Sequence, residues 1–315
     1  MAVKVVEAAR LLWCPGLVTL NGEPKVSIQD WISTTNYSPS VSNGDILLQG
    51  CDVHKFTEVL GANINRTTAA GSETLCNITE VVAVPKSLGW PYVKLYYAAY
   101  FYAHALLRIW GQSASFLRTL ELMPIRTAFN SYNIALPFKA LTGQFLLSVD
   151  RASSTVKVAS DNGGGGAHES LWRAYHNALT SFRASIRSSP FLTSDKTTLD
   201  AELVSFVSLI SGRGANVAWL STIRNEIQYR QSEGVWYPYT GKLKVAALQA
   251  QVDLLRRGKL DFSQIVSSNV TGLSQFELAC VAIILFSRNV LADMQAVGGS
   301  KSYLRHGQRK FEESL

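Results

Sequence analysis

Residues 92–110 read YVKLYYAAYFYAHALLRIW, and this stretch decides the fold class of the chain. Leucine, alanine and aromatic side chains occupy nearly every position around its helical wheel. A helix that is apolar on all sides is buried on all sides, either at the centre of a helical bundle or in a subunit interface. The stretch therefore predicts a mainly α-helical protein built around this helix.

Further helices are predicted on the C-terminal side of this central stretch. Gly111 interrupts the pattern, and a second helix is expected over residues 114–123, because Pro124 would stop it. Apolar residues recur every three or four positions over residues 169–187, which is typical of an amphipathic helix. The same reasoning predicts helices over residues 195–210, 216–230, 242–257 and 273–296.

One segment inside this helical body has the pattern of β-strands. Residues 144–149 and 155–159 alternate between apolar and polar, with a turn between them, so residues 142–160 predict an inserted β-hairpin. The glycines at 163–166 lack the following Lys-Ser or Lys-Thr of a phosphate loop and are expected to form a hinge.

Composition divides the chain into three parts. Residues 1–87 are rich in Ser, Thr, Asn and Gly with short apolar bursts, and they predict an irregular, partly β arm that packs on the body. A short helix is expected there at residues 53–60, and a turn at Asn21-Gly22. Residues 88–297 are expected to form the helical domain, and residues 298–315 a polar tail.

Charge and cysteine usage limit the possible partners. Only 17% of residues are charged, so part of the surface is covered by another copy or a partner protein, or a large core uses up the apolar residues. The net charge of +7 moderately favours a polyanion such as RNA. The four cysteines form no CxxC pair, which predicts no metal site, and no motif indicates a cofactor.

Two observations bear on location. The N-terminus lacks the apolar segment of a secretion signal. The longest apolar run, residues 278–286, is too short to span a bilayer. We therefore expect a cytoplasmic protein with no membrane partner.

Residues 222–230, TIRNEIQYR, carry the candidate chemistry. A fixed guanidinium at Arg224 can hold a phosphate while a neighbouring group moves a proton. Asn225 and Tyr229 are four apart and share a helix face. The same residues are also typical of a polar helix end, with a surface ion pair between Glu226 and Arg230. Both interpretations stay open at this stage.

Other residues are weaker candidates for RNA binding. Arg183 and Arg187 lie four apart on one helix and form either a phosphate-binding stripe or a solvated face. Arg230 and His104 are two further weak candidates for RNA binding. His104 is either an additional proton carrier or a core residue. His168 and His176 are expected to be surface or capping residues. Three aromatic residues could stack on bases or pack under a loop, namely Trp236, Tyr237 and Tyr239.

Two segments together resemble the HEPN superfamily. They are residues 96–107, YYAAYFYAHALL, and residues 224–229, RNEIQY, with Ser221 three positions before the arginine. The resemblance covers about residues 90–296, with the hairpin as an insertion. It implies a helical bundle that dimerises and brings two motif copies together. Many members are metal-independent ribonucleases of toxin–antitoxin, CRISPR and antiviral systems.

The resemblance implies that Arg224, Asn225 and Tyr229 are catalytic residues of an endoribonuclease in prokaryotic antiphage defence or a toxin–antitoxin pair. In the family pattern, a histidine follows the arginine after four to six residues, and Tyr229 occupies that place here. Tyrosine is a poor base at pH 7. Three alternatives follow: Tyr229 itself acts, another histidine is supplied by folding or dimerisation, or the protein is an inactive scaffold or RNA-binding subunit.

Overall fold

The structure, a computed structural model, describes residues 2–21, 25–76, 78, 87–138, 142–161, 163–190, 193–212, 216–236, 245–258 and 270–303. Ten α-helices lie in these ranges: α1 (Ala2–Ala8), α2 (Ile28–Thr34), α3 (Val53–Leu75), α4 (Gly89–Ile109), α5 (Thr119–Ser131), α6 (Ala167–Ser188), α7 (Thr193–Ser211), α8 (Trp219–Gln228), α9 (Val245–Arg257) and α10 (Leu273–Gly298). The five strands are β1 (Ser38–Ser42), β2 (Asp45–Gln49), β3 (Gln112–Leu117), β4 (Gly143–Asp150) and β5 (Thr155–Ser160). The predicted mainly α class is confirmed.

Helix α4 lies at the centre of the molecule, as its sequence predicts. It packs against α3, α6, α8 and α10. The side chains of Tyr92, Tyr96 and Tyr102 are fully buried along it. Burial of these aromatic rings stabilises the fold, since each buries a large apolar area.

Helix α10 is the second core helix. Within the described ranges it alone is long and apolar enough to cross a membrane, but 72% of its most apolar window is buried inside the protein. Its residues Phe276 and Cys280 are fully buried, and the Tyr92 hydroxyl donates a hydrogen bond to the Glu277 carboxyl. This burial is typical of a core helix.

The predicted hairpin is confirmed, but it belongs to a larger sheet. Strands β4 and β5 pair antiparallel, with Asp150 opposite Thr155. The order of the antiparallel sheet is β1-β2-β5-β4-β3. The hairpin is therefore flanked by β2 from the first 50 residues and by β3, which follows α4 directly.

The helix predicted over residues 114–123 is wrong. Residues up to Leu117 form β3, whose backbone pairs with β4, and α5 begins only at Thr119. The backbone N–H of Arg118 donates to the Glu121 carboxylate over 2.6 Å, which fixes the start of α5. Pro124 lies inside α5, near its N-terminal end. A short apolar run does not distinguish strand from helix by its pattern, and pairing with β4 decides it.

Helix α3 extends far beyond the predicted residues 53–60, since it has 23 residues. Residues with low helix propensity, such as Gly61 and Gly71, make the full length of α3 hard to predict from the sequence. A Cβ on Gly71 would lie 2.9 Å from the ring of Tyr102, so glycine allows α3 and α4 to approach closely. Tertiary packing thus overrides helix propensity.

Some predictions fall on residues outside the described ranges. They concern Gly22 of the first turn, Tyr237 and Tyr239, and residues 304–315 of the polar tail.

Candidate functional site

Helix α8 presents Arg224 to the core of the protein. The buried residues of α8 are Leu220, Ser221, Arg224 and Ile227, which recur at helical spacing on the side that contacts α4. The indole of Trp236 donates to the carbonyl oxygen of Ile227 over 2.6 Å and packs the following loop onto the helix. This confirms packing, rather than a free stacking surface, for Trp236.

Arg224 is a buried cation among aromatic rings. Only 5% of the residue is exposed. Its Cζ lies 5.4 Å from the ring centroid of Tyr96, 5.6 Å from that of Tyr97 and 5.7 Å from that of Tyr229. Such cation–π contacts are each worth about 0.5–2 kcal/mol. The three contacts together offset part of the several kcal/mol that burial of a charge costs, but they supply no opposite charge.

The polar contacts of Arg224 do not neutralise it. Nη1 donates to Gln228 Oε1 over 3.3 Å and reaches the Tyr229 hydroxyl at 3.5 Å, the outer limit of a hydrogen bond. The buried Nε has no partner. Every ion pair between described residues involves other side chains, so no described carboxylate balances this charge. A buried guanidinium of this kind is suited to bind an anion.

Arg224 meets Tyr229 because α8 ends at Gln228. On a regular helix the two side chains would point in different directions, but Tyr229 is the C-cap residue and leaves the helix. Tyr229 is 68% exposed, and its ring covers the guanidinium from the solvent side. Asn225 is half-buried, and its carbonyl oxygen accepts the backbone N–H of Tyr229. The structure thus joins Arg224 with Tyr229, and among the described residues no hydrogen bond links the Asn225 side chain to either.

His168 lies beside Arg224 and Tyr96, a position that sequence reasoning did not predict. The prediction of a surface or capping role is wrong, because His168 is the second residue of α6 and lies half-buried against α4. Its Nδ1 is 3.0 Å from the Tyr96 hydroxyl, and its ring centroid is 4.4 Å from that of Tyr100. No sequence signal indicates this, since packing of α6 on α4 brings together residues that are distant in the chain.

The environment of His168 keeps it neutral. Burial, and then the nearby charge of Arg224, lowers its pKa to about 4. The indole of Trp172 donates to the same Tyr96 hydroxyl over 3.0 Å and fixes that phenol in place. The contact fits two neutral tautomers: either the Tyr96 O–H donates to Nδ1 and Nε2 carries the proton, or Nδ1–H donates to the Tyr96 oxygen and Nε2 keeps the lone pair that a base needs.

His104 and Arg108 continue the same face of α4. Arg108 is 6% exposed, and its Nη1 donates to His104 Nδ1 over 2.9 Å and to the His104 carbonyl oxygen over 2.8 Å. Burial lowers the pKa of Arg108 to about 10, which leaves it charged at neutral pH. Burial, then the charge of Arg108, lowers the pKa of His104 well below its usual value. The Tyr100 ring joins this pair to His168, at 4.7 Å from His104.

The remaining candidate RNA-binding arginines lie elsewhere and are ion-paired. Arg183 and Arg187 both bind Asp200 on α7, at 2.5 Å and 2.8 Å, and they lower its pKa to about 2. Arg230 pairs with Glu226 at 2.6 Å, as the sequence predicts. These contacts match the solvated-face interpretation.

No family model, no curated protein and no solved structure matches this chain. Within the described ranges, no three His, Cys, Asp or Glu side chains group as metal ligands. The chemistry of the site therefore rests on its own geometry: a buried uncompensated guanidinium, a neutral histidine and an exposed phenol around one tyrosine of the central helix.

Proposed function

We propose that this protein is a HEPN-like, metal-independent endoribonuclease, acting as a homodimer or with a partner protein in prokaryotic antiphage defence or a toxin–antitoxin pair. The observation that carries the proposal is the buried Arg224, with no carboxylate partner among the described residues, next to His168 and Tyr229. A phosphate suits such a site, because guanidinium and phosphate match in charge and geometry.

Each of the three side chains has one role in the reaction. Arg224 holds the non-bridging oxygens of the scissile phosphate and stabilises the charge that develops there. His168 takes the proton of the adjacent 2′-hydroxyl, whose oxygen attacks phosphorus. The P–O bond to the 5′ oxygen breaks, and Tyr229 donates the proton that this oxygen needs. The products are a 2′,3′-cyclic phosphate and a free 5′-hydroxyl.

This assignment answers the problem of the absent motif histidine. Tyrosine is a poor base at neutral pH but is able to act as an acid. His168, supplied by α6, provides the base instead, in keeping with the alternative of a histidine brought by folding. Tyr96 positions it, since the same phenol contacts His168 and lies under Arg224.

Substrate entry requires a local change at the end of α8. Tyr229 and Gln228 contact Nη1 of Arg224, and an incoming phosphate oxygen would replace both. Tyr229 lies outside the helix and is largely exposed, so its side chain can rotate at low cost.

The decisive experiment is a cleavage assay on labelled single-stranded RNA and tRNA in the presence of EDTA. We expect the wild type to cut and both Arg224→Ala and His168→Ala to lose the activity. Arg187→Ala is the control, because Arg187 is an exposed arginine bound to Asp200. Equal cleavage by wild type and Arg224→Ala would disprove the proposal.

The second candidate function is that of an inactive RNA-binding subunit. Tyrosine at position 229, where the family pattern has histidine, and the low content of charged residues, 17%, favour it. On this alternative the wild type binds RNA through Arg224 without cutting it. A Tyr229→His variant that gains cleavage would show that only the proton carrier is missing.

A further inference from the structure

A second buried guanidinium without a counter-charge lies on the central helix. Arg108 is as enclosed as Arg224, and its Nε also lacks any partner. Its Nη1 contacts are with His104 alone, which is neutral. No ion pair between described residues includes Arg108. The cost of this burial is recovered if an anion binds.

The two arginines are connected by one continuous row of rings. Tyr96, Tyr100, His104 and Arg108 are spaced by four residues and share a face of α4. Tyr100 contacts both His104 and His168, and Tyr96 lies under Arg224. Arg108 reaches back one turn to His104, so the guanidinium groups are separated by roughly 10 Å along the helix axis, at 1.5 Å per residue.

Solvent reaches the middle of this row, while Tyr96 and Arg108 at its two ends are buried. Tyr97, Tyr100 and His104 are half-buried rather than enclosed, and so is His168 on the facing helix α6. The charged or titratable groups that meet there are the two arginines, the two histidines and the tyrosines. A row of aromatic rings between two cations has the composition of a platform for single-stranded nucleic acid.

We infer that Arg108, His104 and Tyr100 form a second phosphate-binding position, which holds a neighbouring phosphate of the RNA strand whose scissile phosphate lies at Arg224. The inference rests on the proposed function, because it names how that site takes its substrate. The orphan Nε of Arg108 donates to a phosphate oxygen, and the half-buried rings of Tyr100 and His104 contact the bases, whereas Tyr96 is fully buried and supports them from below. The substrate class is a single strand that spans both arginines.

The test measures binding without cleavage. A fluorescent oligoribonucleotide carrying 2′-O-methyl groups lacks the attacking hydroxyl, and its affinity is followed by anisotropy at several salt concentrations. We expect Arg108→Met to weaken binding by about tenfold or more, because hydrogen bonds to charged groups are lost. The slope of log K against log salt should fall by about 0.7 for each lost phosphate contact on a single strand.

Two variants control this measurement. Arg187→Met removes an exposed, ion-paired arginine and should change neither affinity nor slope. Arg108→Lys keeps the charge and should restore most of the salt slope. The fold of Arg108→Met is checked by its thermal midpoint, which we expect to be unchanged or higher, since the variant removes a buried, uncompensated charge.

A second arm uses inorganic phosphate and measures its stabilisation of the protein at constant ionic strength. Loss of that stabilisation in Arg108→Met, with unchanged oligonucleotide affinity, would assign the position to a free phosphate and overturn the inference. Unchanged affinity and slope in Arg108→Met would also overturn it. If the wild type binds through Arg108 but never cuts unmodified RNA, the nuclease proposal fails while the second position stands.

Discussion

The hydroxyl of Tyr96 lies 3.0 Å from Nδ1 of His168, and this contact joins α4 to α6 across 72 residues of sequence. Because the ring of Tyr96 also lies under Arg224, one phenol sets the positions of both groups. The two functional candidates are therefore held on rigid helices rather than on loops, which favours a preorganised site.

Replacing His168 by alanine should lower the rate of RNA cleavage by about 10²–10⁴-fold, the usual contribution of general acid–base catalysis. Binding of the 2′-O-methyl strand should change little, because Arg224 and Arg108 remain. Single-turnover rates and anisotropy on the same preparations separate the two effects. His176→Ala, on the same helix, is the control, and an equal loss there would contradict the role of His168.

The pH dependence of cleavage should reflect the lowered pKa of His168. As a base it must be neutral, and its pKa of about 4 keeps it so throughout the neutral range. We expect kcat/KM to stay level from about pH 8 to pH 5 on the acidic side and to fall only as pH approaches 4. An acidic limb near pH 6.5, the ordinary histidine value, would show that His168 is not the base.

Stability should depend on pH through the same histidine. The folded pKa is about 4, below the unfolded value near 6.5, so the unfolded chain takes up the proton first as pH falls. The stability that neutral His168 contributes is fully present above pH 6.5 and is lost as pH falls towards 4. The free energy of unfolding should therefore fall between pH 7 and pH 5. We expect this fall to be smaller by about 1 kcal/mol in His168→Gln, after a discount for the partial exposure of His168. Urea unfolding at both pH values measures it.

Tyr96→Phe should affect both stability and activity. Without its hydroxyl, the indole N–H of Trp172 and Nδ1 of His168 lose their partner, at a cost of about 1–3 kcal/mol. Cleavage should slow through kcat more than KM, because His168 loses its orientation while Arg224 keeps the ring beneath it. A higher KM with an unchanged kcat would contradict this positioning role.

The close approach of α3 and α4 depends on Gly71. Gly71→Ala would place a methyl group 2.9 Å from the Tyr102 ring, and we expect a loss of about 1–3 kcal/mol from overpacking. A Tyr102→Leu background should relieve part of that cost, so the two changes should be non-additive. Additive free energies of unfolding would indicate that the ring is not the obstacle.

The central helix α4, the amphipathic helix α6 and the hairpin β4–β5 could be predicted because their patterns are local. Strand β3 could not, since its apolar residues suit a helix as well until β4 pairs with them. Helix α3 was underestimated because Gly61 and Gly71 lower its propensity, and only packing on α4 compensates for them. The motif around Arg224 is visible in sequence, but the positions of His168 and Arg108 beside the same tyrosines depend on tertiary contacts.

The pairing of β2 with β5 has a consequence for how the protein can be truncated. Ile46 lies opposite Val158, so the first 50 residues supply the strand that covers one edge of the β4–β5 hairpin. Removing them would leave β5 with a row of open backbone donors and acceptors, a surface on which other chains readily add strands. A shortened version of this protein that begins at α3 would therefore be prone to aggregate, even though the candidate site lies entirely beyond the deleted segment.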